Sequence, residues 1–587
     1  MHMPRTQRRL ARGLMASAAI GTLALLTACG QEAPTGTEEQ DTSARPSEQK
    51  DIVGLNDDRS DADAAYRPNM EMEDMVAFEA APAPPGRTAS AQSYPQPLPG
   101  TVNTETFEDF DDNPVHVVVE DPVSTFSIDV DTASYGVMRS YLNDGTLPPR
   151  DAIRVEELIN YFDYNYPLTD DAETPFRAST YLYGTPWNSG TQLLHIGIQG
   201  FDMEPDQRPD SNLVLLLDVS GSMNEPNKLP LLKKAMRMLV NEMGENDTIA
   251  IVVYAGAAGT VLQPTPGSDK AAIMAALDQL HAGGSTAGGE GISQAYALAT
   301  LSYRDNGVNR VILATDGDFN VGINDPERLE DFVSEQRDSG IDLTVLGFGR
   351  GNYNDLLMQK LAQAGNGNAA YIDTLREARK VLVDEIGGTL FTIAKDVKIQ
   401  VEFNPAEVLE YRLIGYETRA LNREDFANDK VDAGDIGSGH TVTAIYEIVP
   451  AGSDARWTEP LRHQSLPPTT ETTAGDEIAH VRIRYKRPDD EQSELIETAI
   501  GKDSALGNIA ELPVDVRFAA AVAAFGQKLR GGTFLGDFDY RDIATLAAGA
   551  KGPDTFGYRA EFTQLLDLAE TADALPELQR PTIGYTQ

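Results

Sequence analysis

Residues 212–386 alternate between two kinds of segment. Short apolar runs read NLVLLLD (212–218), DTIAIVVYA (247–255), NRVILATDG (309–317) and IDLTVLGFG (341–349). Longer amphipathic runs separate them. In KLPLLKKAMRMLVNEM (228–243), Leu232, Met236, Leu239 and Met243 recur at helical spacing. Residues 269–280, 326–340, 354–365 and 374–388 also read as helices, and another follows the Gly-rich loop HAGGSTAGGEG (281–291) to about Ser302. Continuously apolar strands alternating with helices imply a parallel sheet covered on both faces. The expected fold class is α/β, a doubly wound, Rossmann-like sheet. Ligands of such sheets bind beyond the carboxyl ends of the strands, where strand order reverses.

The flanks follow a different rule. Runs 176–183 and 192–199 are strand-like, and two strands alone are marginal in water. After Ala394, residues 396–403, 409–417, 441–450 and 479–488 alternate apolar and polar, the period of half-buried antiparallel strands. The ends of a doubly wound domain lie close together. The two strand sets are therefore expected to pair into one accessory antiparallel β-sandwich, with the α/β domain inserted between them. Beyond Ser504 the pattern returns to helix, with Phe518, Val522, Phe525 and Leu529 on one stripe. These C-terminal helices are expected to pack on the sandwich.

The N-terminus reads as an address. Arg5, Arg8, Arg9 and Arg12 precede GLMASAAIGTLALLTA (13–28), an apolar run of signal-peptide length. Leu26-Thr27-Ala28-Cys29 resembles the bacterial lipobox, and Cys29 is the chain's single cysteine. That resemblance implies a lipidated Cys29, and Gly30 after it favours the outer membrane. Residues 31–99 are rich in Pro, Ser, Thr, Ala and acid, a composition that buries too little surface to order itself. The expected division is 1–28 signal peptide, 29–105 tether, 106–205 N-terminal accessory segment, 206–390 α/β domain, 391–503 β-rich accessory domain and 504–587 helical segment.

Charge excludes one class of partner. Lys and Arg number 48 against 91 Asp and Glu, a formal charge of −43. Nucleic acid would repel such a chain. One cysteine allows neither an internal disulfide nor a multi-cysteine metal site. The seven histidines lie apart in sequence, so each is expected to be a lone surface or half-buried residue rather than a ligand. Asp129-x-Asp131 resembles the nucleophile motif of haloacid-dehalogenase-type phosphatases. It is rejected because its apolar lead-in is short and broken, and Ala133 replaces the usual Thr or Val.

Three loops remain at the carboxyl edge of the sheet. They carry Asp218-x-Ser220-x-Ser222, Thr286 in GGSTAGG, and Asp316 in ATDG. All five side chains offer oxygen, the donor set of a hard divalent cation. A helix cap would need one such residue rather than three. Glu225 and Asp318 read as solvated loop charges, and Glu290 as structural.

This constellation resembles the von Willebrand factor type A domain with its metal-ion-dependent adhesion site, here across residues 212–386. Residues 124–168 and the other flanks resemble, more loosely, bacterial lipoproteins that carry this domain between accessory modules. The resemblance implies that Ser220, Ser222 and Thr286 coordinate directly, with Asp218 and Asp316 acting largely through water. It also implies a protein partner whose carboxylate supplies the sixth ligand. The hard-oxygen donor set favours Mg²⁺, with Ca²⁺ or Mn²⁺ left open. No catalytic function is expected: His281, the histidine nearest the loops in sequence, has no orienting partner, and Gly-x-Ser-x-Gly is absent from the strand ends. The alternative is a structural envelope protein whose ion only stabilises the fold, and after it a metal-dependent hydrolase.

Overall fold

The computed structural model describes residues 103–169, 174–204, 207–255, 257–284, 288–317, 325–459, 461, 476–488, 490–506 and 509–575. The expected signal peptide, Cys29 and the expected tether as far as residue 102 lie outside them, whereas residues 103–105, placed in that tether by the sequence reading, are described. In the α/β sheet the strands stand in the order Ala369–Ile372, Asp342–Phe348, Val308–Thr315, Ser211–Asp218, Thr248–Ala255, Ala257–Pro266. All neighbours are parallel except the last pair.

Strand Ser211–Asp218 is buried at every position, as its unbroken apolar run requires. Leu213, Leu215 and Leu217 pack with Leu232, Met236 and Leu239 of helix Leu229–Glu242. Val214 and Leu216 pack on the other face with Ile292, Ala295 and Ala299 of helix Gly288–Leu301. Strand Ala257–Pro266 was not expected. It is largely half-exposed and contains Pro264 and Pro266, both compatible with a sheet edge.

Two further sheets form the sandwich. The first runs His116–Val117, Val408–Ile414, Thr441–Pro450, Gln192–Gly200, Phe176–Gly184, Ala505–Leu506. The second runs Ile436–Gly437, Thr392–Phe403, Glu477–Lys486, Glu494–Gly501, with Val123–Ser127 also paired to Thr392–Phe403. Phe126, Ile196, Ile399, Val401, Tyr446 and Val481 share the core between them. Thr441–Pro450 pairs antiparallel with Gln192–Gly200, Tyr446 opposite Leu194. Strands from before and after the α/β domain thus share one sheet, and that domain is an insertion. Segments 106–205, 391–503 and 504–587 interleave rather than follow one another.

Some strand limits differ from the sequence reading, for local reasons. Strand Thr392–Phe403 begins before 396, but Asp396 sits at φ +52° where the pairing register shifts. That irregularity breaks the two-residue alternation. Val123–Ser127 is interrupted by polar residues, yet Thr125 and Ser127 are buried with partners. Gln400 Nε2 donates to Thr125 Oγ1 at 3.0 Å, and Gly434 N donates to Ser127 Oγ at 3.2 Å. His195, expected at the surface or half-buried, is fully buried with Nε2 2.7 Å from Tyr166 Oη. Burial pushes its pKa down to about 3.

Helices Val514–Leu529, Tyr540–Gly549 and Tyr558–Ala574 cover the outer face of the first sandwich sheet. Phe518, Val522, Phe525 and Phe562 share a core with Tyr183, Leu193, Ile414 and Ile445 of that sheet. Helices Ala133–Asn143 and Val155–Asn160 join the same core through Tyr135, Met138, Leu158 and Ile159. At the N-terminal edge, Thr104 N and Thr106 N donate to the carbonyls of Gly351 (2.8 Å) and Tyr353 (3.0 Å). Asp355 N donates back to Thr106 O at 3.0 Å.

Arginines that are buried (Arg139, Arg154) or partly buried (Arg419) tie the parts together. Arg139, fully buried on helix Ala133–Asn143, donates to Asp373 and Glu377 of the α/β domain, to Tyr161, and to Glu561 of the last helix. Arg154 joins Glu157 to Asp355, and Arg419 donates to Asp129 (3.0 Å) and Asp131 (2.8 Å). Glu156 is also fully buried but faces acid: burial first, then Glu417 and Asp129, push its pKa from 4.5 up to about 8.

Arg139→Met should leave the buried Glu377 and the partly buried Asp373 without their cation and cost about 3–5 kcal/mol in urea unfolding. Glu156 gives a pH test. Its folded pKa lies above its unfolded one, so its contribution to stability is complete below about 4.5 and is lost as pH rises through about 8. Glu156→Gln should remove that loss. Relative to wild type, the variant should gain roughly 1–4 kcal/mol between pH 5 and pH 9 in denaturant titrations.

Candidate metal centre

Asp218 ends the central strand, and Asp316 follows the neighbouring strand Val308–Thr315. These strands are parallel, with Leu217 opposite Ala314. The chain goes from the first to Thr248–Ala255 on one side, and from the second to Asp342–Phe348 on the other. Both aspartates therefore stand at the switch point, where neighbouring loops diverge and leave a crevice.

Both aspartates are fully buried, Ser220 nearly so, and Ser222 is exposed. Ser220 N donates to Asp218 Oδ1 at 2.8 Å, turning the chain tightly after the strand. The Ser220 and Ser222 hydroxyls lie 2.9 Å apart. Thr315 Oγ1 lies 3.4 Å from Asp218 Oδ2 and accepts from Gly317 N at 3.2 Å. Burial pushes the Asp218 carboxyl up to about 6, against hydrogen bonds from Ser220 that lower it.

The Gly-rich loop is laced to this turn. Gly283 N donates to Val219 O at 2.8 Å, and Gly221 N donates to Gly284 O at 3.1 Å. Gly284 has φ +91°, and a Cβ there would lie 3.0 Å from Ala255 O, so glycine suits both the backbone and the fit. Thr286 and Asp318 lie outside the described residues. Glu225 and Glu290 are exposed.

The residues fit a divalent cation. Two buried carboxylates and two adjacent hydroxyls converge at the sheet edge, all hard oxygen donors. Lys228, which the sequence reading missed, is 4% exposed and enters the same site. Its Nζ donates to Asp316 Oδ2 at 3.0 Å and to Asn352 Oδ1 at 3.1 Å. The signal was a local conflict. Lys228 occupies the N-cap of helix Leu229–Glu242, where Ser, Thr, Asp or Asn is favoured and positive charge opposes the helix dipole.

A second acidic group lies elsewhere. Asp129, Asp131 and Glu157 offer oxygens within 4.8 Å of one another, all buried. Arg419 and Arg154 already neutralise them, and Ala369 N donates to Asp131 at 2.7 Å. A polar cleft of about 190 Å³ adjoins the two aspartates and is lined also by Asn366, Asp432 and Asp435. The arrangement is a charged seam between the sandwich and the α/β domain, and Asp129 has the surroundings of a structural residue rather than a nucleophile.

Comparison with known proteins agrees with this architecture. Three family models match: "von Willebrand factor type A domain" over residues 212–384, "von Willebrand factor" over 101–195, and "Uncharacterized protein YfbK, C-terminal" over 388–572. Protein YfbK of Escherichia coli is 46% identical over 490 residues, which span 82% of this chain and 84% of that protein. Protein sll0103 of Synechocystis is 30% identical over 185 residues, 32% of this chain and 43% of that one. Among solved structures, the von Willebrand factor type A protein of Catenulispora acidiphila aligns over 66% of this chain and 89% of its own, at 15% identity and TM-score 0.37. Proximal thread matrix protein 1 of the mussel byssus, solved with a zinc-occupied MIDAS motif, aligns over 30% of this chain and 45% of its own, at 24% identity and TM-score 0.26. The resemblance to YfbK runs through the flanks as well as the inserted domain, and the chain belongs to the YfbK family of von Willebrand factor type A domain proteins.

Proposed function

We propose that this chain is a lipid-anchored protein of the bacterial cell envelope, with the outer membrane favoured, that binds a partner protein through a divalent cation. The observation that carries the reading is the pair of buried carboxylates, Asp218 and Asp316, beside the Ser220 and Ser222 hydroxyls at the switch point. Ser220, Ser222 and Thr286 would hold the ion directly, and Asp218 and Asp316 through water. The ion is Mg²⁺ in this reading, with Ca²⁺ or Mn²⁺ as alternatives. It supplies a positive centre that a partner carboxylate can reach on a chain whose own charge is −43. Cys29 carries the lipid, and residues 29–105 carry the folded body away from it. The site acts as a binding site without turnover.

Titration of Mg²⁺ into the full chain in detergent should give saturable one-site binding, weakened at least about tenfold in Asp218→Ala. Added acetate should strengthen it by occupying the partner's position. No binding with or without acetate would defeat the metal reading. Cys29→Ala should abolish incorporation of labelled fatty acid and move the protein from the membrane to the soluble fraction. Continued labelling would place the lipid elsewhere.

A further inference from the structure

Two buried carboxylates close together are expensive to keep ionised without a cation. Asp218 and Asp316 are such a pair, and Lys228 brings its ammonium to the second of them. The position is built rather than incidental. Gly349 stands at φ +76° at the end of strand Asp342–Phe348, and a Cβ there would meet the Lys228 Cε at 2.3 Å. Only glycine leaves room for the lysine stem. Asn352, three residues on, gives the ammonium its second acceptor at 3.1 Å.

We infer that Lys228 is a resident counter-cation of the metal site. It holds the Asp316 loop assembled before the ion arrives, and it lowers the site's affinity for that ion. The inference rests on the metal reading above and adds a residue to it. A divalent ion that uses Asp316, directly or through water, draws on the carboxylate that Lys228 already neutralises. The ammonium and the ion then repel one another in surroundings with little solvent to screen them. With the ammonium in place, the two carboxylates retain one net negative charge. A divalent ion turns that into one positive charge, which an anionic ligand from outside can neutralise. Lys228 thereby makes ion retention depend on that outside anion and leaves the empty site folded and exchangeable.

The test uses the full chain as wild type, Lys228→Gln, Lys228→Met and Asp218→Ala. The glutamine keeps a donor for Asp316 without the charge, and the methionine removes both. Calorimetric titration with Mg²⁺ should show both Lys228 variants binding about tenfold more tightly than wild type. In chelator, both variants should unfold at lower temperature than wild type, and Mg²⁺ should raise their Tm by more. Equal or weaker Mg²⁺ binding in both variants, with wild type binding normally, would overturn the inference while leaving the metal reading intact. No Mg²⁺ binding by any of the four proteins, with or without acetate, would overturn both.

Discussion

The structure depends on charge buried at the joints between its parts. A domain inserted into a sandwich is held covalently by two crossings, and apolar packing alone is non-directional. Arg139 supplies direction. Its planar guanidinium stands with no solvent exposure between carboxylates from the α/β domain and the last helix, so three stretches of chain must meet in one geometry. Arg154 and Arg419 repeat the arrangement at the seam with the N-terminal accessory segment. Each of these arginines would be costly to bury unpaired, and the pairs form only when the segments are in register.

Legibility in the sequence followed the physics of each element. The central strands were readable because burial on both faces demands an unbroken apolar run, as in NLVLLLD. The shared sandwich sheet was readable because strands 176–183 and 192–199 had no other partners. The start of strand Thr392–Phe403 was not, because Asp396 at φ +52° interrupts its alternation. His195 is buried although isolated in sequence, since Tyr166 from a different stretch reaches its ring. The approach of the Asp218 and Asp316 loops to one another was legible from their places at the strand ends, whereas Lys228 was not, because its acceptors Asp316 and Asn352 come from two other loops.

Asp218 and Asp129 show how similar short motifs diverge. Each is an aspartate followed two residues later by another polar group that its carboxylate can help position: Ser220 N donates to Asp218, and Asp131 N donates to Asp129. Asp218 stands at the sheet's switch point beside the buried Ser220 and the exposed Ser222. Asp129 stands beneath Arg419 and is committed to a joint. The local sequence sets the turn, and its surroundings decide whether the carboxylate is offered to a ligand or spent on the fold.

The first described residues bear on the site in a mechanical sense. Thr104 and Thr106 are fastened to Gly351 and Tyr353, the residues on either side of Asn352. Traction on the chain ahead of Asn103 is therefore delivered to the loop that holds the Lys228 ammonium before it reaches the sandwich strands. Under the proposed reading, with the chain held by its N-terminus and gripped at an ion, tension and ion occupancy would act on the same few hydrogen bonds around Asn352.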